Sequence, residues 1–154
     1  MSTFRAQTTW TRSHDDFSYD HYDRDHEVRW GSGQRAAASA AQDYLGNPDR
    51  LNPEEALVGA LSSCHMLTFL AIAARRRLVV DAYTDEAEGV LGKNEAGKLA
   101  VTEVTLRPAV RFAPGVEVDA AALARMHEAA HNNCFIAQSV KANVRIVPPA
   151  EAAG

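Results

Sequence analysis

The stretch Asn52-Pro53-Glu54-Glu55-Ala56-Leu57-Val58-Gly59-Ala60-Leu61-Ser62-Ser63-Cys64 decides how this chain is read. It opens as a helix N-terminus, with a capping asparagine, a proline at the first helical position and two acids in the first turn. Glu55 stands three residues after Asn52, where a capping-box acid lies. The spacing predicts a helix from Pro53 to about Arg76. Ala56, Leu57, Val58, Ala60, Leu61, Met66, Leu67, Phe69, Leu70 and Ile72 put apolar side chains on nearly every face of it. A helix of that kind is central and covered on all sides. Arg75, Arg76 and Arg77 then complement its negative C-terminal end.

Working outward, residues 1–23 are polar and aromatic, and the alternation Phe17, Tyr19 hints at a strand. His26–Trp30 reads as a strand, Gly31-Ser32-Gly33 as a hairpin turn and Gln34–Ala41 as the returning strand. Beyond the helix, Leu78–Glu88 suits a strand that Gly89–Gly92 extends. Asn94–Gly97 is a turn, and Leu99–Phe112 a long strand with an edge or bulge at Pro108. Asp119 caps a second helix, Ala120 to about Asn132, and Ala142–Val147 closes as a strand. The order strands, helix, strands, helix, strand is that of an α+β domain.

At 154 residues the chain fits a single domain, 1–154, with no repeat or linker. An apolar fraction of 46% and a charged fraction of 23% exclude a disordered chain and a disulfide-rich miniprotein. A net charge of −4 argues against nucleic acid or an anionic membrane surface as partner. The most apolar run, Ala56–Ala74, is broken by Ser62, Ser63, His65 and Thr68, which speaks against a membrane span. The first residues carry no apolar signal region, so the expected compartment is the cytoplasm. In that reducing setting the two cysteines are reactive or metal-binding rather than a permanent disulfide.

Cys64 lies in mid-helix, beyond reach of the N-terminal dipole. By default such a cysteine is an inert core residue. A reactive thiolate there needs a cation from elsewhere in the chain. Cys134 follows a helix carrying His127 and His131, four residues apart and hence on one face. If the helix continues, Cys134 joins that face, making a three-ligand metal set with Cys64 as a possible fourth. The plainer reading leaves His127 solvated and His131 as a helix-end dipole partner. No cofactor motif is present.

The segment Asn52–Cys64 closely resembles the first cysteine motif of the OsmC/Ohr family of thiol peroxidases. Ala130-His131-Asn132-Asn133-Cys134, followed by Ser139, resembles the second. The element order matches that family over about 17–147. The resemblance implies an OsmC-like fold of antiparallel sheets around two central helices, in an intertwined homodimer. It implies reduction of organic hydroperoxides, with Cys64 oxidised to a sulfenic acid and Cys134 resolving it as a disulfide. A dithiol or a lipoylated protein would restore the thiols. Glu54 matches the family's motif glutamate, which pairs with an arginine from the N-terminal strands that stabilises the thiolate. Arg24 is the first candidate for that arginine, with Arg29 and Arg35 as alternatives. Phe135 stands where many members carry proline, and the N-terminal segment differs too, which marks an OsmC-like subgroup. The other reading is a non-enzymatic protein of the same fold that binds a metal or ligand through His127, His131 and Cys134.

Overall fold

In the computed structural model, which describes residues 1–149, helix α1 runs Pro53–Arg75. The Asn52 side chain accepts a hydrogen bond from the Glu55 amide at 2.8 Å, as the capping pattern requires. At the other end Arg77 takes a left-handed backbone, φ 58°, and the Leu78 amide closes on the Ala73 carbonyl. This is the turn geometry that usually recruits glycine after a helix. Tandem basic residues thus both end the helix and face its negative pole.

The chain forms two compact units, Met1–Ala56 and Leu57–Gly154. In the first, β1 (Ala6–Thr9), β2 (His26–Trp30) and β3 (Arg35–Ala38) make an antiparallel sheet in the order β1-β2-β3. The β2–β3 hairpin forms as expected, and Gly33 supplies the positive φ of its turn. Two features differ from the expectation. The strand near Phe17 and Tyr19 is absent; both rings are largely exposed on a segment of bends, and β1 instead forms upstream. The segment is held by side chains meeting backbone, with Trp10 donating to the Asp23 carbonyl and Arg24 to those of Tyr19 and Tyr22. Such pairings leave no period-two pattern to read.

In the second unit β4 (Val80–Asp85) pairs antiparallel with β7 (Pro108–Phe112). A second sheet has the order β5-β6-β8, with β5 (Glu88–Lys93) antiparallel to β6 (Leu99–Leu106) and β8 (Asn143–Ile146) parallel to it. The long strand expected over Leu99–Phe112 is therefore two strands in different sheets. The break is chemical: the Arg107 amide donates to the Asp85 carboxylate at 2.6 Å, and Pro108 has no amide to donate. Leu78–Gly92 divides likewise, at Glu86 and Ala87. Helix α2 (Ala120–Asn133) starts at Asp119, whose side chain accepts from the Ala122 amide at 2.7 Å.

Two apolar clusters form the core of this unit. Phe69 and Ala73 of α1 meet Met126 and Ala130 of α2, while Leu61 meets Val104 and Leu106. Leu61→Ala is expected to cost about 2–5 kcal/mol, because the site is fully enclosed and leaves a cavity. A fall in the urea midpoint with unchanged slope would show it. Within one chain α1 buries only the stripe Leu61, His65, Phe69, Ala73, and Leu67 is 60% exposed. By length and composition α1 is also apolar enough to cross a membrane. The all-round cover expected for this helix is thus not supplied by the single chain.

Candidate functional site

Cys64 sits three turns into α1, half-buried, one residue before the buried stripe position His65. Cys134 follows α2 directly and is 1% exposed. The fold makes the two side chains neighbours, and both thiols are free. Burial pushes the Cys134 thiol up to about 11, and the Cys64 side chain beside it adds to that shift. The Ala137 amide, donating to the Cys134 sulfur at 3.4 Å, opposes the shift without overcoming it. At neutral pH Cys134 is therefore a thiol, not a thiolate. A 3-10 turn, Ala137–Ser139, follows, with Ser139 donating to the Phe135 carbonyl. Phe135 itself projects outward, 82% exposed.

Around this pair lies a buried polar group that motif reading did not assemble. The imidazoles of His65 and His127 are hydrogen-bonded, Nε2 to Nδ1, at 3.1 Å. The His127 ring also stacks on Phe69 at 4.5 Å between centroids. Burial lowers both histidines to about 4; His127 and His131 further depress His65, and Asp85 pulls weakly the other way on both. Asp85 accepts from the Ser62 hydroxyl at 2.5 Å and from the Arg107 amide. Burial, reinforced by Asp85, likewise raises the Tyr83 hydroxyl above its usual range. The other ring nitrogens, Nδ1 of His65 and Nε2 of His127, are buried without a hydrogen-bond partner among the described residues, as is the Tyr83 hydroxyl. The signal in the sequence was faint: His65 falls on the i, i+4 row of Leu61 and Phe69, and His127 on that of Leu123.

The metal set expected from His127, His131 and Cys134 does not assemble. α2 ends at Asn133, and Cys134 has an extended backbone, φ −75° and ψ 112°, so it leaves the helix face. His127 turns into the core against His65 rather than toward solvent. Among the described residues no group of three or more His, Cys, Asp or Glu side chains is placed to hold a metal ion.

The remaining candidates lie in the first unit. Arg24, 8% exposed, precedes β2 and donates to the carbonyls of Tyr22 and Tyr19. Its guanidinium lies 3.9 Å over the Tyr22 ring. Glu54, in the first turn of α1, has a buried Oε2 without a hydrogen-bond partner among the described residues. No ion pair joins Arg24 to Glu54 among the described residues, unlike the pairing that the motif implies. Arg29 donates to Gln7 and Arg35 pairs with Glu27, both on the exposed side of the sheet.

The family model described as OsmC-like protein matches residues 46–148, two-thirds of the chain, including α1, both cysteines and α2. The chain belongs to the OsmC-like protein family. A solved OsmC-like protein of unknown function from Vibrio cholerae O1 biovar eltor is 44% identical, with a TM-score of 0.92 over 96% of this chain and 99% of that one. The uncharacterized protein YmaD of Bacillus subtilis (strain 168) is 28% identical over 109 residues, 70% of this chain and 72% of its own. An organic hydroperoxide resistance protein from Elizabethkingia anophelis shares the fold, with a TM-score of 0.72 at 20% identity over 96% of this chain and 94% of that one. The OsmC-like fold, with two helices among largely antiparallel strands, is the one the resemblance implies, and the α+β class is the one read from the order of elements.

Proposed function

We propose that this OsmC-like protein reduces organic hydroperoxides with Cys64 and Cys134. The observation that carries the reading is the pair of free thiols held side by side, one half-buried and one enclosed. The Cys64 thiolate attacks the peroxide O–O bond, forming a sulfenic acid and releasing the alcohol. Cys134 then condenses with it, its sulfur forming the disulfide while the sulfenic oxygen leaves as water. The sum is two thiols and a hydroperoxide giving a disulfide, an alcohol and water. A dithiol, free or as a lipoyl group on a protein, reduces the disulfide by exchange. Cys134 suits the second role, since a protonated thiol at 1% exposure is a poor first nucleophile and is reached only by a neighbour. Arg24 and Glu54 are the proposed electrostatic partners of Cys64, with Arg24 the cation that favours its thiolate.

The two units form parts of one OsmC-like domain on this reading, and the working form is a cytoplasmic homodimer. The exposed row Ala60, Ser63, Leu67, Ala71 and Ala74 along α1 supports a second copy, because water is poor cover for an apolar stripe. Leu67→Lys is expected to shift the protein toward monomer in sedimentation; an unchanged dimer would take this row out of the interface.

Free-thiol count and intact mass of reduced protein, before and after one equivalent of cumene hydroperoxide, test the chemistry. Loss of both thiols with a mass lower by two hydrogens is the expected outcome. Two untouched thiols would refute it.

A further inference from the structure

Between α1 and the end of α2 the second unit places three imidazoles beside its two cysteines. His65 directly follows Cys64, and His131 precedes Cys134 by three residues, its carbonyl accepting the Cys134 amide at 3.2 Å. His127 stands one turn before His131, on the same face of α2. His65 and His127 are 1% and 3% exposed and share a hydrogen bond of 3.1 Å, and His131 lies near enough to bear on His65. Three ring nitrogens of this group, Nδ1 of His65, Nε2 of His127 and Nδ1 of His131, are buried without a hydrogen-bond partner among the described residues. A buried polar atom left unpaired is costly, and packing alone would be served as well by apolar side chains.

The bond between two neutral imidazoles holds a single proton, carried by one ring or by the other. In one state the free nitrogen of His65 is a lone pair and that of His127 bears a proton; in the other the roles are reversed. Passage between the states takes up a proton at one end, moves the shared one across and releases one at the far end. No imidazolium is left behind. Burial suits the pair to this, since it lowers both rings to about 4 and so keeps them neutral at neutral pH. The proposed disulfide step has a proton to move. Cys134 enters it as a thiol, and an attacking sulfur approaches the sulfenic sulfur opposite the departing oxygen. The thiol proton is then on the wrong side to reach that oxygen directly, and hydroxide leaves poorly without one.

Given the two-cysteine chemistry proposed for this chain, on which the step depends, we propose that the His65–His127 pair, with His131 beside it, relays the proton of disulfide formation. As the S–S bond forms and the S–O bond breaks, the Cys134 thiol gives its proton to the imidazole group. The group gives one to the departing oxygen, which leaves as water. The Cys64 sulfur is reduced from sulfenic acid to disulfide, the Cys134 sulfur is oxidised to it, and the imidazoles end with the protons they began with. His127 acts through its bond to His65 and is a positioning residue: it sets which nitrogen of His65 carries the proton.

The test mixes reduced full-length protein with one equivalent of cumene hydroperoxide, quenches it in acid at intervals and reads the intact mass. One added oxygen marks the sulfenic acid, and the loss of two hydrogens marks the disulfide. The wild type should pass to the disulfide with little sulfenic acid standing, and more slowly in deuterium oxide. His127→Gln keeps a polar group able to bond His65 but cannot pass a proton between two nitrogens. It should form the sulfenic acid at the wild-type rate and then the disulfide on the order of a hundredfold more slowly. A merely structural role would leave the ratio of the two steps unchanged. Should His127→Gln not fold, His131→Gln, at the less buried member of the group, carries the test with the same split between steps. Disulfide formation within about twofold of wild type in the folded variant, or a wild-type rate unchanged in deuterium oxide, would overturn the relay and leave the two-cysteine chemistry standing. Wild-type thiols untouched by the hydroperoxide would overturn both.

Discussion

Cys64→Ser is expected to reduce peroxide turnover to background, a loss on the order of a thousandfold or more, because it removes the sulfur proposed to attack the peroxide. Cys134→Ser should behave differently. On the proposed mechanism its Cys64 is expected to react still, consuming one equivalent of peroxide before the reaction stalls at the sulfenic acid. A sulfenic acid trap should label the second variant and not the first. The asymmetry follows from burial: Cys134 is 1% exposed and its thiol is pushed up to about 11, so it meets only what Cys64 presents to it. Equal residual steady-state activity in the two variants would contradict the roles. Both substitutions change one atom, and circular dichroism would verify that the helices persist.

Acid should destabilise the protein steeply through the His65–His127 pair. Each is neutral and buried in the folded chain, lowered to about 4 by burial, whereas the unfolded chain titrates near the ordinary 6.5. Between those values the unfolded state binds more protons than the folded one. Stability from this source is therefore complete above about pH 6.5, falls as pH drops toward 4, and levels off below it. Two groups displaced this far make a loss on the order of several kcal/mol, a large part of a typical domain's stability. The surroundings agree with the sign. His131 lies near enough to oppose protonation of His65, and Asp85 offsets only part of it, being held by Ser62 and the Arg107 amide. Urea midpoints at pH 7.5, 6, 5 and 4 measure the loss. His127→Phe should flatten the curve between pH 6.5 and 4, since it removes one proton site and keeps a ring on Phe69. An identical slope in the variant would remove the pair as the cause.

Much of the fold is legible in the amino-acid sequence. The capped start of α1, the β2–β3 hairpin and the Asp119-capped α2 each rest on side chain and backbone groups a few residues apart, and all three are present. What local pattern missed was set by distant partners. The Arg107 amide goes to Asp85, so one apparent strand becomes two in different sheets. β8 runs parallel to β6, a pairing no hairpin spacing announces. The aromatic N-terminal segment folds by side chains seeking carbonyls, which carries no periodicity.

The candidate site divides in the same way. By itself the sequence picked out the two cysteines as the candidate pair for chemistry and determined the helix that carries the first, because both sit in short, recognisable motifs. Only the tertiary structure decided that their side chains are neighbours, since seventy positions separate them in the chain. It also decided that His127 faces His65 rather than a metal with Cys134. α2 stops one residue before that cysteine, and burial makes a neutral imidazole the stable partner of another.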